Sequence, residues 1–151
     1  MATYEVKSRD LENRAGARAG VKTLSFGPFD AVNNVPASGA LFICDQAYRL
    51  ISMYAVWSIP SSSLNVSLEK LTGTTAPGSG DSMQASGFVT SGAANTVVNS
   101  VPSFIDANNE VAIGDRIGMN VLGVATGLSG LIITVHLLPL GDKLYWRSFV
   151  K

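Results

Sequence analysis

From residue 23 onward the chain never sustains a helical period. Short runs of β-branched, aromatic and aliphatic residues alternate instead with clusters of Gly, Pro, Asn, Asp and Ser. This feature limits the fold most, because closely spaced short strands separated by turn residues build sandwiches and barrels. The runs fall at 23–29, 40–44, 48–59, 64–71, 83–90, 96–98, 103–105, 111–113, 116–122 and 131–138. In 64–71, Leu64, Val66 and Leu68 share one face, and Asn65, Ser67 and Glu69 the other. In 48–59, Ile51, Met53, Ala55, Trp57 and Ile59 fall opposite Tyr48, Leu50, Ser52, Tyr54, Val56 and Ser58. In 131–138, Leu131, Ile133, Val135 and Leu137 oppose Ile132, Thr134, His136 and Leu138. That run is nearly apolar on both faces, which predicts a central strand covered on its back as well. The longest interruption, 72–81, holds three glycines and a proline and reads as a loop.

The 151 residues fit one domain and suffice to bury a core without disulfides or metal. Charged residues make up only 15 % of the chain, against about 25 % in a typical globular protein. Interface cores are depleted in charge, so the deficit predicts that much of the surface meets other subunits. The charge is also unevenly placed. Residues 1–22 carry five basic side chains against three acidic ones, residues 23–141 three against seven, and residues 142–151 three against one. The expected organisation is therefore a basic arm (1–22), a β-sandwich (23–141) and a basic, aromatic tail (142–151). With net charge zero, there is no bulk electrostatic case for nucleic acid or an anionic membrane. No apolar segment approaches the length of a membrane span, and no apolar leader precedes the domain.

The chemistry-bearing residues point away from catalysis. Gly73 is followed by Gly78 and Ser79, but the lysine of a phosphate loop is missing. His136 is the only histidine and Cys44 the only cysteine. A lone histidine within a strand and a cysteine in the run Leu41-Phe42-Ile43 read as structural residues. One His and one Cys do not make a zinc set. Asp106, Asn108, Asn109 and Glu110 offer oxygens, but Asp and Asn in a turn ordinarily bond their own backbone. The acids are spread singly, so no carboxylate pair stands out. Asn65-Val66-Ser67 fits a glycosylation sequon inside an expected strand, where it reads as coincidence. The expectation is a non-enzyme with no cofactor and no metal.

Two segments carry a resemblance: Val66-Ser-Leu-Glu-Lys-Leu-Thr-Gly-Thr-Thr-Ala-Pro-Gly-Ser-Gly80, and Ala112-Ile-Gly-Asp-Arg-Ile-Gly-Met-Asn-Val121 followed by Gly130-Leu-Ile-Ile-Thr-Val135. Together they resemble small virion proteins of tailed bacteriophages, of the capsid decoration (cement) and head-fibre-like kind, over about residues 50–140. The Gly114-Asp115 step also resembles the turn that opens a core strand in trimeric jelly rolls of the C1q and tumour-necrosis-factor type. Glycine there permits positive φ, and Asp115 can cap the turn.

The resemblance implies an all-β, jelly-roll-like sandwich that forms a homotrimer and binds the major capsid protein on the outside of an icosahedral head. Such a protein is made in the host cytoplasm and ends in the virion. The alternative is a fibre module binding a receptor or glycan. The expected partner-binding residues, taken from composition, are Arg9, Arg14 and Arg18 in the arm and Tyr145, Trp146 and Phe149 in the tail.

Overall fold

The computed structural model describes residues 20–140, and within them the chain is a sandwich of two antiparallel sheets. In chain order the strands are β1 (Lys22–Phe29), β2 (Gly39–Ile43), β3 (Tyr48–Val56), β4 (Asn65–Leu71), β5 (Asp81–Ser82), β6 (Phe88–Val89), β7 (Val98–Ser100), β8 (Glu110–Val111), β9 (Arg116–Leu122) and β10 (Leu131–Pro139). One helical turn, α1 (Asp106–Asn109), precedes β8.

The first sheet runs β1-β10-β3-β7, with β8 also on β3; the second runs β2-β9-β4-β5, with β6 also on β4. Strands β1 to β4 therefore alternate between the sheets, β5 and β6 stay beside β4, β7 and β8 return to β3, and the last strand lies between the first and third. This is the double Greek key of a jelly roll, the expected fold. Lys22, taken with the arm on charge, is the first residue of β1, paired with Leu137.

Alternation explains the core. Leu131, Ile133, Val135 and Leu137 of β10 are fully buried against Val66, Leu68, Ile117 and Met119 of the opposite sheet. Each such side chain contributes roughly 1.5–3 kcal/mol by leaving water. The other face of β10 differs from expectation. Ile132, Thr134, His136 and Leu138 are only partly covered, because nothing among the described residues packs over that face.

β3 also departs from strict alternation. Its buried residues are Tyr48, Leu50, Met53 and Ala55, so Tyr48 and Leu50 join the face that a period of two assigned to Met53. The cause is a β-bulge: His136 pairs with Ser52 and Leu137 with Leu50, which leaves Ile51 as the extra residue.

The expected runs at 83–90, 96–98 and 111–113 shrink to strands of two or three residues, and the one expected at 103–105 does not form. Between Ser82 and Phe88 only isolated backbone bonds remain, and side chains supplement them. The Gln84 Oε1 accepts the Leu68 N–H, and the Ser100 hydroxyl donates to the Ser86 carbonyl at 2.6 Å. Polar side chains that serve the backbone in this way compete with regular strand pairing.

Candidate interaction surface

The loops sort to two poles. At one pole, 30–38, 57–64, 90–97 and 123–130 interlock: Ala31 N–H donates to Leu128 O, Ser61 N–H to Thr90 O, and Asn95 N–H to Trp57 O. At the other pole lie the β2–β3 turn, the 112–115 turn and both limits of the described chain. Leu140 N–H donates to Ala47 O at 2.9 Å, and Lys22 reaches Asp45. Residues 1–19 and 141–151 therefore continue from the same pole, one from β1 and the other from the adjacent β10.

The root of β1 is fixed there by a small network. Lys22 Nζ donates to Asp45 Oδ2 at 3.0 Å and to the Tyr48 hydroxyl at 3.3 Å. Its ammonium also stands 4.6 Å from the centre of the Phe42 ring. The Tyr48 hydroxyl donates to the second Asp45 oxygen. The Tyr48 hydroxyl and then the Lys22 ammonium hold the Asp45 carboxyl below its usual range, while Asp45 and then Tyr48 raise the Lys22 ammonium. A lowered carboxylate stabilises the fold above its unfolded-state value and loses that contribution as pH falls through the folded-state value. A raised ammonium contributes below its unfolded-state value and loses the contribution as alkali rises through the folded-state value. The penalty of Asp45→Asn on the melting temperature is therefore expected to be small, present at pH 7, and to shrink as acid passes through the lowered folded-state value. Paired thermal melts check this; a penalty that grows in acid contradicts it.

The turn at 112–115 has the conformation its sequence predicts. Gly114 has φ +84°, Asp115 N–H donates to Ala112 O at 3.1 Å, and Asp115 Oδ2 accepts the Ala112 N–H at 2.8 Å. Arg116, the next residue, turns its guanidinium onto Gly73 O (2.9 Å) and Thr75 O (2.8 Å). The same loop is held from its other end by Glu69, whose two oxygens accept Gly78 N–H at 2.7 Å and Gly80 N–H at 2.9 Å. Loop 72–80 thus folds over the outer face of the second sheet, and Glu69 and Leu71 are buried beneath it although they point away from the core. Gly118, opposite Glu69 in the ladder, has no room for a side chain: a Cβ there would meet Leu71 Cδ1 at 2.6 Å.

The two segments that carried the resemblance are therefore neighbours on β4 and β9, and their polar groups serve each other.

The other chemistry-bearing residues are also occupied structurally. His136 Nδ1 and the Ser52 hydroxyl are 2.8 Å apart, and the ring packs edge-on to Tyr54. Cys44 is buried in the core, and burial pushes its thiol up to about 11. In the 106–110 segment, the Asn109 amide donates to Ser103 O and Glu110 pairs with Arg49. Among the described residues no group of three His, Cys, Asp or Glu side chains is placed to hold a metal.

Comparison with family models, curated proteins and solved structures returned no match. The surface itself is what remains to be read. Arg9, Arg14, Arg18, Tyr145, Trp146 and Phe149 lie outside the described residues. Within them, the sequence reading missed a set of exposed apolar side chains. At the pole where the ends leave stand Ile43 (67 % exposed) and Ile113 (73 %). On the segment before α1 stand Phe104, Ile105 and Val101, and on the loop pole Val32, Val35, Val97 and Val124. The one signal available in the sequence was Ile113 itself, an isoleucine in a Gly-Asp turn where a polar residue is the rule.

Proposed function

We propose that this chain is a capsid decoration protein: a homotrimer of jelly rolls that sits on the outer surface of an icosahedral phage head, binds the major capsid protein and stabilises the shell without catalysis. The observation that carries this reading is that both terminal segments continue from one pole of a rigid sandwich. Two peptide anchors rooted side by side at the base of the domain can engage neighbouring copies and the shell beneath, and three copies multiply those contacts through effective concentration. The exposed aliphatic and aromatic residues support it too, because surfaces this apolar mark interaction sites. In this reading Arg9, Arg14 and Arg18 meet acidic capsid patches. The loop pole carries no exposed aromatic side chain among the described residues, so it lacks the stacking faces a sugar site would use.

Deleting residues 1–19 leaves Lys22 and its network in place. The truncated protein is expected to stay folded and to lose co-sedimentation with purified heads that lack the protein, at concentrations where the full chain saturates them. Unchanged co-sedimentation removes the arm from the mechanism. Failure of the full chain to bind heads removes the decoration reading itself.

A further inference from the structure

Ile43 and Ile113 are exposed apolar side chains on two backbone segments that are bonded to each other. Cys44 N–H donates to Asp115 O and Gly114 N–H to Cys44 O, both at 2.8 Å, so the neighbours of the two isoleucines are tied backbone to backbone. Ile43 pairs with Arg116 and points away from the core on the outer side of the second sheet. Asp115 borders the patch; it spends Oδ2 on the Ala112 amide and has no ion pair among the described residues.

We propose that this patch is the docking site for residues 141–151 of a second copy of the chain. The inference rests on the trimer in the preceding reading and names the contact that builds it. Three observations select the occupant. Its charge is complementary: residues 141–151 carry Lys143, Arg147 and Lys151 against Asp142, net +2, whereas residues 20–140 carry four basic against seven acidic side chains, net −3. Its side chains suit the surface, because Tyr145, Trp146 and Phe149 are the kind that dominate interface energetics when seated on aliphatic pockets. Its length and point of departure also fit. Eleven residues span at most about 36 Å, and they leave from Leu140 at this same pole.

The direction of departure assigns the segment to a neighbour. β10 belongs to the first sheet, between β1 and β3, while Ile43 faces outward from the second. The chain's own segment would have to wrap around the 44–47 turn and reverse to reach it. A segment arriving from an adjacent copy meets the patch from outside. Each copy then gives one segment and receives one, a heterologous contact that closes into a ring. The tail aromatics become the link between copies, and the arm is left as the link to the head.

The test is size-exclusion chromatography with light scattering on three full-length proteins: the unmodified chain, the patch variant I43D/I113D and the tail variant W146A/F149A. The unmodified chain is expected at about three times 15.8 kDa and both variants at the mass of one chain, with unchanged far-UV circular dichroism. The tail substitutions leave every residue of the described sandwich unchanged, so they report even if the patch variant misfolds. A tail variant that stays trimeric overturns the proposal. A folded patch variant that stays trimeric while the tail variant dissociates overturns the assignment of the site. A monomeric unmodified chain overturns the trimer and this contact together, whereas trimeric variants alone leave the decoration reading standing.

Discussion

Trp57→Ala is expected to cost about 3–5 kcal/mol of folding stability, the largest single effect of any core truncation in this chain. Trp57 is the bulkiest fully buried side chain and sits just past the end of β3. Its indole Nε1 donates to Gly92 O at 3.2 Å, and its carbonyl accepts the Asn95 N–H at 2.8 Å. Gly92 packs against the ring so closely that a Cβ there would stand 3.4 Å from it. Removing the ring therefore opens a cavity and leaves the Gly92 carbonyl without its donor, while the backbone bonds at Thr90 and Asn95 keep the loop in place. For a chain of this size the melting temperature is expected to fall on the order of 10 °C. Trp57→Phe keeps most of the volume but not the donor, so it is expected to lose less. Melts at matched protein concentration check both, since an oligomer's stability depends on concentration. A loss below about 1 kcal/mol in Trp57→Ala sinks the view of Trp57 as the tie between loop pole and core.

The same residue shows how far the sequence could be read. Period-two patterns in the 64–71 and 131–138 runs located the buried faces of β4 and β10, because alternation is imposed by the pleat itself. The pattern failed in β3 at Ile51, where a bulge changes the phase. A bulge answers to the partner strand, and β10 lies some 80 residues away in sequence, beyond any local signal. The short strands β6 to β8 were overdrawn for a related reason: Gln84 and Ser100 bond backbone groups through their side chains, which propensity does not encode. The surface was the least legible part. Ile43 and Ile113 are 70 residues apart in the chain, and their segments come together only because β2 and β9 are neighbours. The anchors chosen from composition, Tyr145, Trp146 and Phe149, follow from what a basic aromatic tail is good for, and the partner patch for them had to come from the fold.

Topology also explains where the motif-bearing segments lie. Placing β9 between β2 and β4 brings the Gly114-Asp115-Arg116 turn and the 72–80 loop to the pole where the chain ends leave. A platform that must present two peptide anchors at fixed separation needs stiff loops around their roots. Lys22 with Asp45 stiffens one side, and Glu69 with Arg116 the other. The rigidity limits the entropy lost when the domain seats on a partner.

Glu69 gives that argument its sharpest test. Its carboxylate is 1 % exposed and accepts two backbone N–H groups of the loop. Hydrogen bonds to a charged acceptor are worth about 1.5–3 kcal/mol each, and losing the acceptor leaves donors unpaired under the loop. Glu69→Ala is therefore expected to cost about 2–4 kcal/mol, with hydrogen-exchange protection lost at Gly78 and Gly80. Glu69→Gln keeps one acceptor oxygen but turns its amide group toward the other N–H, so it is expected to lose protection at one of those two glycines more than the other. Arg116→Ala releases the opposite end of the same loop, at Gly73 and Thr75. Because both residues hold one segment, the double variant is expected to lose less than the sum of the singles, with a coupling of about 0.5–3 kcal/mol. Strict additivity, or a Glu69→Ala protein whose Gly78 and Gly80 amides stay protected, means that the loop is held by packing on Leu71 instead, and the paired clamp is not what stiffens this pole.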